Sequence, residues 1–260
     1  MGRTHALAYD TVRRLGDPVE LRAVCDARPA GEAGTRGNLP LAEPVDEAWL
    51  SARGVELIDR YESMLARDDL DLISVCTPTP THVDLARRAL ESGRHVLVEK
   101  PVALQPSAID QLAEAAERAN RLCMPAMCMR FWPGWSWLLD RVATEPYGPI
   151  RSASFLRIGA APTWSPGFYL NPEQSGGPLV DLHVHDTDFI VGMLGAPDAV
   201  LCLGEPRHHR TMYRYESGPR LVTAEGGWLP STHYPFQMRY RVRFEEAIAD
   251  FELGREPELL

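Results

Sequence analysis

Three short apolar runs, Val19 to Cys25, Leu70 to Cys76 and Val96 to Val98, each stop on polar or proline-bearing residues: Asp26, then Thr77-Pro78, then Glu99-Lys100-Pro101. Helix-like stretches alternate with them, Thr81 to Ser92 with Gly93 as its C-cap and Pro106 to Arg121. This rhythm constrains the fold more than any other feature, because strands joined by helical crossovers lie parallel with helices on both faces. In open parallel sheets ligands sit beyond the carboxyl ends of the strands, so Asp26, Thr77 and Lys100 are expected to line one crevice. The segment from Arg28 to Val45, rich in Gly, Pro and Ala, reads as a surface loop.

After Met127 the texture changes. Aromatic residues cluster (Phe131, Trp132, Trp135, Trp137), and Ile150 to Ile158, Ala199 to Gly204 and Met238 to Phe244 alternate polar with apolar residues. Alternation of that kind suggests an antiparallel or mixed sheet with one face covered. Two domains are therefore expected, residues 1–126 and 127–260, a count that suits 260 residues. The fold class expected is α/β, a doubly wound parallel sheet, followed by an α+β domain with an open, mostly antiparallel sheet. A net charge of −9 argues against nucleic acid and anionic membranes as partners and points to small molecules. Five scattered cysteines with no CxxC pair suggest neither a disulfide framework nor a zinc knuckle, and fit a reducing cytoplasm. No apolar run approaches the roughly 20 residues that span a bilayer.

Lys100 is the only lysine among the 27 basic residues. An ammonium is a compact point charge on a flexible stem, which a planar guanidinium cannot imitate, so Lys100 is the first candidate for chemistry. Its alternative is survival by chance in an arginine-biased composition. At the other end of the first domain, Met1-Gly2-Arg3-Thr4-His5-Ala6 opens a helix-like stretch at once, and Gly2 stands where the last glycine of a phosphate-binding turn would be. Asp26 follows 24 residues later, near the spacing of about 20 expected for an acid that binds a ribose hydroxyl. A carboxylate there favours NAD by repelling a 2′-phosphate, while Arg28 is close enough to keep NADP open.

Taken together, Met1-Gly2-Arg3-Thr4-His5, Cys76-Thr77-Pro78-Thr79-Pro80-Thr81-His82, Glu99-Lys100-Pro101 and Gly176-Gly177-Pro178-Leu179-Val180-Asp181-Leu182-His183-Val184-His185 resemble the glucose-fructose oxidoreductase, inositol dehydrogenase and rhizopine-catabolism (Gfo/Idh/MocA) family. The resemblance implies an N-terminal Rossmann domain for NAD or NADP and a C-terminal sheet domain that covers the substrate and builds a homo-oligomer. It implies cofactor contacts from Gly2, His5, Asp26, Arg28, Thr77, Pro78, Thr79, His82, Glu99, Lys100 and Arg130. It also implies catalytic roles: Lys100 on the nicotinamide and the reacting oxygen, Asp181 orienting a sugar or cyclic polyol, and His185 as acid/base. The physics is consistent, since hydride removal from an alcohol needs a base for the hydroxyl proton and a cation for the growing oxyanion.

The chain also departs from the family. Asp-x-Gly-x-His becomes Asp181-Leu182-His183-Val184-His185, the triple glycine becomes Gly176-Gly177-Pro178, an expected asparagine is Thr79, and an expected Trp-Arg is Tyr169-Leu170. The first strand and the first two glycines of the phosphate turn are missing, and the end from Phe251 to Pro257 reads as a strand followed by an unfinished loop, so the chain is expected to be a fragment at both ends. A regulatory nucleotide-binding protein without catalysis is one alternative. Another is a metal-dependent hydrolase, with Asp181, His183 and His185 as a strand-borne His-x-His set. Against the metal reading, Leu179, Val180, Leu182, Phe189, Ile190, Met193 and Leu194 recur at helical spacing with Gly195 as a cap, which places 181 and 185 on one face of a helix and 183 elsewhere. His208-His209, between Arg207 and Arg210, reads as a solvated loop. His82 either packs its helix or meets the cofactor, Arg130 either reaches the cofactor or pairs with an acid, and the tryptophans read as core or interface.

Overall fold

A computed structural model of the chain describes residues 1–26, 43–231 and 233–260. They form two compact units, Met1–Ala126 and Met127–Leu260. Arg28 and most of the loop around it lie outside the described residues.

The first unit runs α1 (Gly2–Arg14), β1 (Ala23–Cys25), α2 (Glu47–Ser51), β2 (Glu56–Ile58), α3 (Tyr61–Leu65), β3 (Leu72–Val75), α4 (His82–Glu91), β4 (His95–Val98), α5 (Pro106–Ala119) and β5 (Cys123–Pro125). All its strand pairs are parallel, in two sheets ordered β1-β2 and β3-β4-β5. Among the described residues, β1 and β3 each pair along one edge only. A single core nevertheless joins the two sheets: Ile58 packs with Ile73, Val75, Val96, Val98, Leu90 and Leu112, with Ala23 and Cys25 at its margin. The first strand is shorter than the apolar run that announces it because its partner β2 offers only Glu56 to Ile58 to pair with.

Local chemistry sets the helix ends. Asp46 caps α2 by accepting the Trp49 amide at 2.8 Å. Gly93, at φ +87°, lets α4 close with the Gly93 amide on the Leu90 carbonyl and the Arg94 amide on the Ala89 carbonyl. Asn120 takes the same left-handed conformation after α5, and the Arg121 amide reaches back to Ala116.

The second unit runs α6 (Pro133–Thr144), β6 (Ile150–Ala160), α7 (Pro166–Tyr169), α8 (Pro172–Ser175), α9 (Gly177–Asp181), α10 (Val184–Leu194), β7 (Ala199–Glu205), β8 (His208–Arg214), β9 (Leu221–Leu229), β10 (Gln237–Phe244) and β11 (Ile248–Glu252). Its sheet is ordered β11-β10-β6-β9-β8-β7, antiparallel except for the β6-β9 pair. Helices cover one face. There Trp135 is fully buried, its ring edge-on to Phe189 and Tyr240 at 4.7 and 5.2 Å between centroids, and the Tyr240 hydroxyl donates to the Gly134 carbonyl at 2.6 Å. The other face shows Leu201, Leu203, Met212 and Leu221 on β7, β8 and β9 and, beyond β6, Arg239, Arg241 and Arg243 on β10. A parallel α/β unit followed by an α+β unit with an open, mostly antiparallel sheet is the fold class expected from the sequence. Among the described residues no helix is long and apolar enough to cross a membrane.

Candidate functional site

In the first unit the candidates gather around the start of α1 and the ends of β3 and β4. Gly2 begins α1 beside Cys76; a Cβ at Gly2 would stand 3.8 Å from Cys76 Cβ. No side chain caps this helix start and its first turn holds no acidic residue, so the amides there suit an anion such as a pyrophosphate. Exposed Asp26 follows directly on β1, where a carboxylate can accept from ribose hydroxyls. These residues fit a dinucleotide.

His5, one turn into α1, is 2.9 Å from Glu99 through Nε2 and Oε1. Burial works against a charge on this imidazole, but hydrogen bonding and Coulomb attraction from Cys76 and Glu99 prevail and raise its pKa to about 9. Glu99 is buried, which by itself would raise its pKa; the charges of His5 and Lys100 hold it below its usual value instead. The Lys100 amide donates to Glu99 Oε2 at 3.1 Å. The pair, with Glu99 buried and His5 partly so, thus fixes the backbone that presents half-buried Lys100 just beyond β4.

His82 has both ring nitrogens against backbone carbonyls, Nδ1 at 2.9 Å from Pro101 and Nε2 at 2.7 Å from Thr77. It ties the loop after β3 to the loop after β4. Thr81 Oγ1 lies 2.7 Å from Thr77 Oγ1 and 2.8 Å from the Pro78 carbonyl, tightening the same loop. Thr77 and Pro78 stay exposed, whereas Thr79 is buried at the start of a 3-10 turn, Thr79–Thr81.

In the second unit one expectation is corrected. The helical spacing from Leu179 to Leu194 predicts one helix with Asp181 and His185 on a shared face; the chain instead forms α9 and α10, separated by Leu182 and His183. The His183 amide reaches the Pro178 carbonyl, five residues back, at 2.9 Å. That widened turn ends α9 and turns the His183 ring inward. Asp181 closes α9, nearly buried, and His185 lies in the first turn of α10, partly exposed. Residues 181 and 185 are not on a strand, so the geometry of a strand-borne His-x-His set is not met. Among the described residues no three His, Cys, Asp or Glu side chains group as metal ligands.

His208-His209 is corrected too: both residues begin β8, with His208 outward on Glu225 at 2.8 Å and His209 buried. His209 lies edge-on to His183, 4.6 Å between ring centroids. Burial, with Arg157 nearby, lowers the His183 pKa to about 4. Burial, with His183 and His208 nearby, lowers that of His209 to about 4. Both rings are neutral at pH 7. Arg130, exposed, holds Asp188 through two hydrogen bonds of 2.8 and 2.6 Å. Of its two possibilities, pairing with an acid is the one the structure displays.

Sequence reading missed the inward side of β8, His209, Thr211 and Tyr213, although their alternation with Arg210, Met212 and Arg214 is a strand signal. It also missed Asp186, fully buried beside His185 in sequence and gripped by Arg157 of β6 at 3.0 to 3.3 Å. Burial raises the Asp186 pKa and the Arg157 guanidinium opposes that rise; burial prevails.

Residues 1–127 match a family described as an oxidoreductase family with an NAD-binding Rossmann fold. Over those residues the chain belongs to the Gfo/Idh/MocA oxidoreductase family. Among curated proteins it is similar to D-glucoside 3-dehydrogenase of Escherichia coli K12, 31% identical over 198 residues that cover 75% of this chain and 51% of the relative. It is also similar to scyllo-inositol 2-dehydrogenase (NAD(+)) of Bacillus subtilis 168, 31% identical over 183 residues, 70% of this chain and 46% of the relative. The chain spans about half the length of these curated relatives. A solved levoglucosan dehydrogenase in complex with NADH and levoglucosan shares the fold, with a TM-score of 0.80 over 100% of this chain and 72% of that one at 20% identity.

Proposed function

We propose that this Gfo/Idh/MocA chain belongs to an NAD-dependent dehydrogenase that oxidises a secondary alcohol of a sugar or cyclic polyol, or reduces the matching ketone. The observation that carries the reading is Lys100 presented just beyond a parallel strand by a buried Glu99 that His5 holds at 2.9 Å. The curated relatives' names, which specify a glucoside and an inositol, support the substrate class.

NAD, when bound, supplies the hydride acceptor. Gly2 leaves the start of α1 open to the pyrophosphate, and Asp26 accepts from the ribose hydroxyls and disfavours a 2′-phosphate. NADP then depends on Arg28. The loop of Thr77, Pro78 and Thr79, locked by His82, would help hold the nucleotide, while His5 and Glu99 fix the backbone that carries Lys100. Lys100 donates to the reacting oxygen and stabilises negative charge as the hydroxyl proton leaves. The His185 imidazole takes that proton, and Asp181 orients the neighbouring hydroxyls. The open face of the second unit, with Leu201, Leu203, Met212 and Leu221 exposed, is assigned to a homo-oligomer contact. All five cysteines stand outside disulfides, in keeping with a cytoplasmic site of action.

The test is steady-state oxidation of inositols and glucosides with NAD by the wild type, Lys100→Ala and His185→Ala, beside NADH affinity by fluorescence. Each substitution is expected to lower turnover by about 10² to 10⁴ while changing NADH affinity far less. Near-normal turnover in His185→Ala would remove the acid/base assignment.

A further inference from the structure

We infer that His183 is a positioning residue, one that sets the junction between α9 and α10 and through it the relative placement of Asp181 and His185. The inference rests on the roles proposed above for those two residues. In a continuous helix the backbone alone would hold residues i and i+4 on one face, about 5 to 6 Å apart. Here the helix is interrupted between them at Leu182 and His183, so their spacing depends on whatever anchors the junction. Leu182 offers only apolar contact. His183 offers directed bonds.

His183 is 3% exposed. Its Nε2 lies 2.9 Å from Thr211 Oγ1 and 3.3 Å from the Tyr213 hydroxyl, both on β8. The Tyr213 hydroxyl is in turn 2.8 Å from Thr187 Oγ1, two residues past His185 on α10. A closed circuit therefore runs from the junction to the sheet and back to the helix that carries His185. The rest of the ring is fixed by packing, edge-on against His209 and over Gly226, where a Cβ would come within 3.1 Å of both His183 Nδ1 and His209 Nε2. A side chain at 226 would press on both rings at once, each having to give by a few tenths of an ångström. Hydrogen bonds on one edge of the ring and close packing on the other leave it little freedom, which is what a positioning residue requires.

The variants are His183→Ala, His183→Gln, and Thr211→Val with Tyr213→Phe, which keeps the histidine and removes its partners. Two readouts are taken: the ring ¹H–¹⁵N resonances of His185 by NMR, and kcat and KM on whichever polyol the wild type oxidises. In His183→Ala the His185 resonances should move and kcat should fall by about ten-fold or more, with NADH affinity unchanged. His183→Gln should recover part of that loss, and the β8 double variant should reproduce it. If His183→Ala does not fold, the β8 variant decides. A folded variant with wild-type His185 resonances and wild-type kcat and KM would overturn the assignment. A wild type that oxidises no polyol removes the dehydrogenase reading, while the His185 resonances still test what His183 holds.

Discussion

Acidification should unfold the second unit through His183 and His209, and by an amount that follows from their burial. Both imidazoles have pKa values lowered from 6.5 to about 4. The unfolded chain therefore binds protons between those values that the folded chain refuses, and stability falls as pH drops through this window. Full stability is present above pH 6.5. Linkage over these pKa values gives a loss of about 2 kcal/mol per ring between pH 7 and pH 5, and about 3 kcal/mol once pH falls below 4. His183 is itself among the causes that depress His209, so the pair contributes between one and two times the single-ring figure.

The groups facing the pair are Arg157, Asp186, His208 and Tyr213, and they remain in a His183→Gln, His209→Gln double variant. Subtracting that variant from the wild type therefore isolates the two rings. Urea unfolding at pH 7 and pH 5, read by tryptophan fluorescence, is the appropriate assay, because five of the six tryptophans lie in the second unit. The wild type should lose about 2 to 4 kcal/mol more than the double variant over that interval. Equal losses would refute the reasoning.

In the first unit the sign is opposite. The His5 pKa is raised to about 9, so its pair with Glu99 stabilises fully below pH 6.5 and is lost as pH rises through 9; NMR titration of His5 should give a midpoint near 9 that falls in Glu99→Gln. Packing gives the other prediction. A Cβ at Gly134 would come within 2.6 Å of the Phe251 ring, so Gly134→Ala should cost about 1 to 3 kcal/mol, seen as a lower Tm.

The parallel unit is legible in the sequence because its strands are apolar runs with abrupt polar ends, and those ends coincide with β1, β3 and β4 to within a few residues. Gly93 reads correctly as a helix stop because the left-handed turn after α4 demands it. The break between α9 and α10 is not legible: every apolar position from Leu179 to Leu194 fits a continuous helix, and the interruption comes from a buried polar anchor on a strand some 28 residues away in sequence. β8 was hidden for a related reason. Its residues do alternate, but the inward ones, His209 and Thr211 among them, are polar, so the alternation does not stand out as an apolar stripe. Arg130 shows a third kind of limit, since the acid that holds it, Asp188, lies 58 residues on and is chosen by tertiary structure alone.

The histidine pair over Gly226 also constrains the routes by which such a site can arise in a lineage. A Cβ at 226 would meet His183 Nδ1 and His209 Nε2 at 3.1 Å each, so a residue other than glycine asks both rings to give by a few tenths of an ångström at once. A chain that already carries glycine at 226 accommodates the two histidines most readily, and a change away from that glycine costs most once both rings are in place. Three residues far apart in the chain are therefore expected to vary together among relatives.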